Sequence, residues 1–152
     1  MQNNIPGLKL DFSKSPTIWK FLQDKSFVRG LIGPVGSGKS YACCAEIFKR
    51  AIQQKPSPRD GIKYSRFVIV RNSYPMLKTT TLKTWLELFP EHIYGPVHHS
   101  PPITHHIKLP SRDGAAGIDC EVIFLALDQP KDTRKLLSLE ITGCLLYTSP
   151  SP

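Results

Sequence analysis

No stretch of the 152 residues approaches the uninterrupted apolar length that a membrane-spanning helix needs. The first ten residues, Met1–Leu10, are polar in character and hold a proline, so they do not read as a signal peptide. Together these absences predict a soluble intracellular protein. Cysteine is sparse: four residues at 43, 44, 120 and 144, with no C-x-x-C pair and no zinc-knuckle spacing. They read as reduced, mostly packed thiols, with the adjacent Cys43 and Cys44 pointing different ways from one helix. No internal repeat or low-complexity tract appears, and the length suits one domain. Acids are outnumbered, 12 against 20 Lys plus Arg, for a formal charge of +8. That balance favours a polyanionic partner such as nucleic acid, but the basic residues are scattered rather than massed, which suits simple solvation equally well.

Hydrophobic patterning divides the chain. Residues 1–15 read as a loose lead-in. Thr17–Asp24 suits a short helix carrying Ile18, Trp19, Phe21 and Leu22. Phe27–Ile32 (FVRGLI) is apolar around Arg29 and Gly30 and predicts a buried strand. A glycine-rich loop follows, then a helix marked by an i, i+4, i+7, i+8 stripe of Cys44, Phe48, Ala51 and Ile52. Glu46, Lys49, Arg50 and Gln53 fall on its opposite face, and the Pro- and Gly-containing stretch Lys55–Gly61 ends it. Arg66–Val70 (RFVIV) predicts a strand covered on both faces. Leu82, Trp85, Leu86 and Phe89 line one side of a second helix, with Thr79–Thr81 placed to cap its start and Pro90 to stop it. Ile103–Leu109 and Ile118–Leu127, joined by the turn-forming Ser111–Gly117, predict a hairpin, read as an insertion or edge feature. Asp128–Pro130 opens a short helix with Leu136 and Leu137 as its contacts, and Leu139–Thr142 begins another core strand. Strand, glycine loop, helix, strand, helix is the opening of a parallel α/β sheet.

The chemistry is concentrated in Gly33-Pro34-Val35-Gly36-Ser37-Gly38-Lys39-Ser40, which fits G-x-x-x-x-G-K-[ST]. Four fixed positions at background frequencies arise by accident in roughly 1% of chains this long. Gly36 and Gly38 can take positive φ, so that successive backbone N–H groups turn toward phosphate oxygens. Lys39 supplies charge to the β- and γ-phosphates, the Ser40 hydroxyl suits Mg²⁺, and the helix that begins at Lys39 adds its N-terminal partial charge, with Tyr41 in the same turn. The loop therefore predicts binding of a nucleoside triphosphate, ATP in the first instance, by Gly33, Pro34, Val35, Gly36, Ser37, Gly38, Lys39, Ser40 and Tyr41.

Hydrolysis needs more: an acid at a neighbouring strand end to help hold Mg²⁺, and a carboxylate to orient the attacking water. Asp128, after Ile123–Leu127, has that position, but reads better as the cap of the helix it precedes. Arg71 follows a core strand and could reach a γ-phosphate or DNA; a surface ion pair is the commoner arrangement. His98, His99, His105 and His106 do not make a metal site, because neighbouring residues on a strand face opposite sides and no cysteine or carboxylate completes a ligand set. Trp19 and Phe27 could stack on a base, although core packing is the commoner fate.

Three segments resemble a known family. FVRGLIGPVGSGKS (Phe27–Ser40), VIVRNSYPMLKTTTLKTWLELFP (Val68–Pro90) and FLALDQPKDTRKLLSLEITG (Phe124–Gly143) are together similar to the N-terminal ATPase domain of the large terminase subunit of tailed phages. The resemblance runs over about Pro16–Gly143. It implies a P-loop NTPase fold, a three-layer sandwich with a mostly parallel central sheet. It also implies ATP-driven translocation of double-stranded DNA into a procapsid, with Lys39 as the catalytic lysine and Ser40 holding Mg²⁺. The implied partners are viral DNA, a portal protein, the small terminase subunit and other copies of the chain in a ring, and the implied place is the host cytoplasm at the procapsid portal. Full-length members add a nuclease domain.

The chain departs from that family after Gly143. There the family's strand runs on to an acidic position, whereas Cys144–Pro152 is rich in serine and proline, is not expected to continue a central strand, and resembles translated adaptor sequence. The expectation is a partial ATPase domain over 16–143, a sheet incomplete at its C-terminal side, a foreign or flexible tail over 144–152, and little turnover. Other P-loop NTPases, such as a helicase-like translocase or a nucleotide kinase, and a noncatalytic nucleotide-binding module remain open alternatives.

Overall fold

The computed structural model describes residues 3–5, 8–34, 36–131, 134 and 138–147. In chain order the elements are β1 (Asn3–Ile5), β2 (Leu8–Leu10), α1 (Pro16–Gln23), α2 (Lys39–Ile52), β3 (Lys63–Arg71), α3 (Tyr74–Met76), a π-helical turn (Leu77–Thr81), α4 (Leu82–Leu88), α5 (Glu91–Tyr94), β4 (Val97–His98), β5 (Ile103–Leu109), β6 (Ile118–Ala126) and β7 (Gly143–Leu146). A five-stranded mixed sheet runs β4-β5-β6-β3-β7, so the chain has an α/β fold. β3 pairs in parallel with both β6 and β7, while β4–β5 and β5–β6 are antiparallel. In the lead-in, β1 and β2 form a separate antiparallel pair.

β3 organises this sheet. Its run Phe67–Val70 is buried at four successive positions, which an extended chain allows only if both faces are covered. Phe67 and Ile69 belong to the main core with Phe48 of α2 and Trp85 of α4, while Val68 and Val70 pack with Ile123, Leu125 and Leu139 on the other face. Arg66 stands opposite Glu121 of β6 and pairs with it at 3.1 Å. The predicted hairpin forms, in register from Ile103↔Phe124 to Leu109↔Ile118. It is not an edge feature, however: β6 lies between β5 and β3 because its apolar residues, from Val122 to Ala126, are buried on both sides.

The helices follow their apolar stripes. α1 begins with Pro16 in its first turn and buries Ile18 and Leu22. In α2, Cys44, Phe48 and Ala51 are fully buried, as the stripe predicts. Glu46 is not on a solvent face: it is buried too, for a reason given below. The segment Tyr74–Leu88 is helical throughout, so Thr79–Thr81 does not cap a helix start. Ser73 does, its hydroxyl accepting the Met76 N–H at 3.4 Å. Thr79 and Thr80 instead donate back to the carbonyls of Pro75 and Met76, four residues earlier, in and around the π-helical turn.

Two strand expectations are overturned. Phe27–Ile32 forms no strand, and Phe27, Val28 and Ile32 are 99%, 80% and 97% exposed. Conversely, β7 forms within the segment expected to break the sheet, pairing Phe67↔Gly143 through Val70↔Leu146. GCLL carries no proline and presents apolar side chains, so β3 accepts it as a neighbour; residues 148–152 lie outside the described residues. The strand starts at Gly143 rather than Leu139, and Thr142 instead bonds with Arg66 at the sheet's entry. Leu136 and Leu137 also lie outside the described residues, although Pro130 and Lys131 open helix as expected.

Candidate functional site

The loop before α2 is shaped by two left-handed glycines, Gly36 at φ 79° and Gly38 at φ 80°. A side chain at either would strain the backbone. Gly33 is crowded instead: an added Cβ would meet Ser37 Oγ at 3.2 Å and Lys39 Cδ at 3.5 Å. Ser37 closes the turn, donating from its hydroxyl to the Pro34 carbonyl at 2.8 Å. Lys39 folds into the loop it follows, with Nζ donating to the carbonyls of Gly33 and Pro34 and lying 3.1 Å from Ser37 Oγ. Val35 lies outside the described residues.

Gly38 is the N-cap of α2, and no side chain caps the helix there. The first intrahelical bond runs from the Ala42 N–H to the Gly38 carbonyl, so the N–H groups of Lys39, Ser40 and Tyr41 precede the ladder. Free N–H groups and the helix partial charge favour an anion at this end of α2. An open cavity of ≈ 250 Å³ flanks it, walled by Ile18, Leu31 and Ile32 and floored by Gly33, Ser37 and Lys39. Tyr41 does not turn its ring into the loop; its hydroxyl donates to Glu87 of α4.

What holds the preceding segment away from the sheet is Arg29. Its guanidinium donates to the carbonyls of Phe21 and Asp24, each at 2.8 Å, lies over the Phe21 ring, and pairs with Glu46 at 2.5 Å. Both side chains are nearly buried, at 7% and 8% exposure. Lys49 and Arg50 bond to the same carboxylate at 3.1 Å. Glu46 thus gathers three cations, the last two at helical i+3 and i+4 spacing. That spacing was visible in the sequence; the partner seventeen residues earlier was not.

Tyr147 stands just beyond β7. Its N–H bonds to the Val70 carbonyl at 3.0 Å, and its phenol lies 3.9 Å from Cys44 Sγ on α2. Burial pushes this phenol well above the ordinary tyrosine range and the Cys44 thiol up to about 12. Arg71, at the end of β3, lies over the Tyr147 ring at 5.1 Å. Among the described residues the ion pair expected for Arg71 is not found; its polar partner there is the Thr81 hydroxyl, at 3.1 Å, and its Nε is buried without one. No sequence pattern singled out Tyr147, and Thr81 was read as part of a helix cap rather than as a partner of Arg71.

Other candidates separate from this site. The Asp128 carboxylate accepts the Tyr74 N–H at 3.0 and 3.2 Å, anchoring the start of α3; most of the helix it was expected to cap lies outside the described residues. His105 and His106 face opposite sides of their strand, as expected, while His98 and His99 are both exposed. His105 is buried, accepts from Trp85 Nε1 at 2.9 Å and donates to the Gly95 carbonyl at 2.8 Å, whereas the exposed His106 pairs with Asp119. Burial holds the His105 imidazole below its usual range. Among the described residues no group of three His, Cys, Asp or Glu is arranged to hold a metal ion. Trp19 is half-buried on α1, and Phe27 projects into solvent rather than into the core. No described helix is long and apolar enough to cross a membrane. No family model, curated protein or solved structure matches the chain.

Proposed function

We propose that the chain binds ATP with Mg²⁺ on Gly33–Ser40, and that it is the ATP-binding part of a viral DNA-packaging motor of the terminase large-subunit kind. The observation that carries the binding reading is the pair of left-handed glycines, φ 79° and 80°, set immediately before an uncapped 14-residue helix. The residues present fit a triphosphate. A cradle that a Cβ at Gly33 would fill lies beneath Lys39, and the N–H groups of the first α2 turn are free of intrahelical partners. Lys39 would exchange the Gly33 and Pro34 carbonyls for β- and γ-phosphate oxygens. Ser40, in the first turn of α2, would give its hydroxyl to the cation, and Ile18, Leu31 and Ile32 offer the base an apolar wall. Bound MgATP would supply the high-energy phosphoanhydride; the chain's own part is to grip it and to neutralise its charge.

The motor reading rests on the resemblance of Phe27–Ser40, Val68–Pro90 and Phe124–Gly143, supported by a formal charge of +8 that suits duplex DNA. On that reading the portal protein, the small terminase subunit and further copies of the chain are its partners, at the procapsid portal. Turnover by this chain is proposed to be slow, since Asp128, the acid that follows β6, is bonded to the Tyr74 N–H. The test is fluorescence anisotropy of a labelled DNA duplex with and without MgATP. Duplex binding that weakens with salt and tightens with MgATP supports the motor. Tight ATP binding with no response to duplex favours a noncatalytic nucleotide-binding module instead.

A further inference from the structure

Among the described residues Arg71 has no anion beside it. Its guanidinium sits at the carboxyl end of β3 with an aromatic face on one side and a neutral hydroxyl as its polar partner, and its Nε is buried without any. Among the described residues no carboxylate lies within salt-bridge distance of it, although Arg29, Arg50 and Arg66 each have one. The guanidinium is partly buried, and a buried N–H without an acceptor is costly, so an anion that reached it would be held. The position says which ligand. Tyr147, whose ring carries Arg71, lies with its hydroxyl 3.9 Å from Cys44 Sγ, so a single side chain separates Arg71 from α2 one turn beyond Ser40.

The geometry points to Arg71 as the group that reads the terminal phosphate of a nucleotide held on Gly33–Ser40, and that reports it to the π-helical turn Leu77–Thr81. This rests on the triphosphate reading above and adds to it a residue that distinguishes ATP from ADP, together with a path outward. Thr81 is the other end of that path. It is 2% exposed, lies in the π-helical turn, and receives Arg71 Nη1 at 3.1 Å. π-Helical turns are less stable than the α-helix around them and are found often at functional positions. When the guanidinium turns toward a γ-phosphate it leaves Thr81 Oγ1 without its donor, inside a turn continuous with α4. α4 in turn packs on α2 and carries Trp85 in the core. Loss of the γ-phosphate returns Arg71 to Thr81. The pair is therefore a two-position contact whose balance depends on a single phosphate.

The experiment compares ATP and ADP binding, with Mg²⁺, in the native chain and in Arg71→Met, Arg71→Lys and Lys39→Ala. It also follows amide hydrogen exchange over Leu77–Thr81. The native chain is expected to prefer ATP. Arg71→Met lowers ATP affinity by about 10- to 100-fold, the factor that loss of a charge-assisted hydrogen bond brings, and leaves ADP affinity unchanged. Arg71→Lys, which keeps the charge, restores part of the preference, and Lys39→Ala weakens both nucleotides. Exchange in the π-helical turn rises with ATP but not ADP in the native chain, and with neither in Arg71→Met. A folded Arg71→Met that keeps the native ATP-to-ADP ratio overturns the proposal while leaving the triphosphate reading intact. A native chain that binds neither nucleotide overturns both.

Discussion

Replacing Glu46 with Gln tests the contact that fixes the loop's approach. The substitution keeps the side chain's volume and removes its charge, leaving three cations around a neutral amide. Lys49 and Arg50 are 23% and 34% exposed and can recover hydration, but Arg29 is 7% exposed and cannot. The loss is therefore dominated by one uncompensated buried guanidinium, which sets the cost at about 3 kcal/mol, the lower end of what breaking a buried pair brings. For a chain of this size that lowers Tm by roughly 6–12 °C. Urea unfolding followed by circular dichroism gives the free energy, and a cycle with Arg29→Met separates the pair from its surroundings. The double variant is expected to cost less than the sum of the two single ones, since neither charge is then stranded. Because Arg29 anchors the segment leading into Gly33, Glu46→Gln also weakens nucleotide binding. A Glu46→Gln chain within about 1 kcal/mol of native stability, or additive single variants, would refute the argument that this pair holds residues 24–33 in place.

Two further outcomes follow from buried groups. The folded pKa of His105 is depressed by burial, so stability is fully present above the unfolded imidazole value of about 6.5 and is lost as pH falls below it toward the lower folded value. Thermal unfolding from pH 7.5 to 5 is expected to show that decline, and His105→Leu to flatten it; an unchanged slope counts against the neutral, doubly bonded imidazole. Ellman's reagent at pH 8 is expected to find one fast thiol, the exposed Cys144, removed by Cys144→Ser. Cys43 and Cys120, pushed up by burial to about 11, and Cys44, at about 12, wait for unfolding. Two or more fast thiols in the native chain would contradict the packing around α2 and β6.

The sequence made plain whatever depends on neighbours a few residues apart. The stripe of Cys44, Phe48 and Ala51, the apolar run Phe67–Val70, the turn chemistry of Ser111–Gly117 and the positive φ of Gly36 and Gly38 are all local features, and each is found where it was expected. What it hid were pairings made across the fold. FVRGLI has the composition of a strand, but Arg29 is drawn to Glu46 and to the end of α1, and a chain so anchored leaves Phe27 and Ile32 in solvent. Glu46 looked solvent-facing because its i+3 and i+4 neighbours are charged, when those same charges are what allow it to be buried. Thr79–Thr81 resembled a cap because threonine often caps; here Thr81 is held by Arg71 from another element. At the site the loop was legible, whereas the stacking of Arg71 on Tyr147 emerges only from the sheet that brings β3 and β7 together.

The most direct test of the central claim is calorimetric titration of MgATP into the native chain and into Lys39→Ala. Among the described residues Lys39 bonds only to its own loop's carbonyls and Ser37, so its removal leaves the core untouched and the two chains should unfold alike. The account predicts saturable one-to-one binding to the native chain and a loss of at least about 10-fold in affinity for Lys39→Ala, the factor expected when a charged contact to phosphate is removed. Equal affinities, or no binding to a folded native chain, would contradict it.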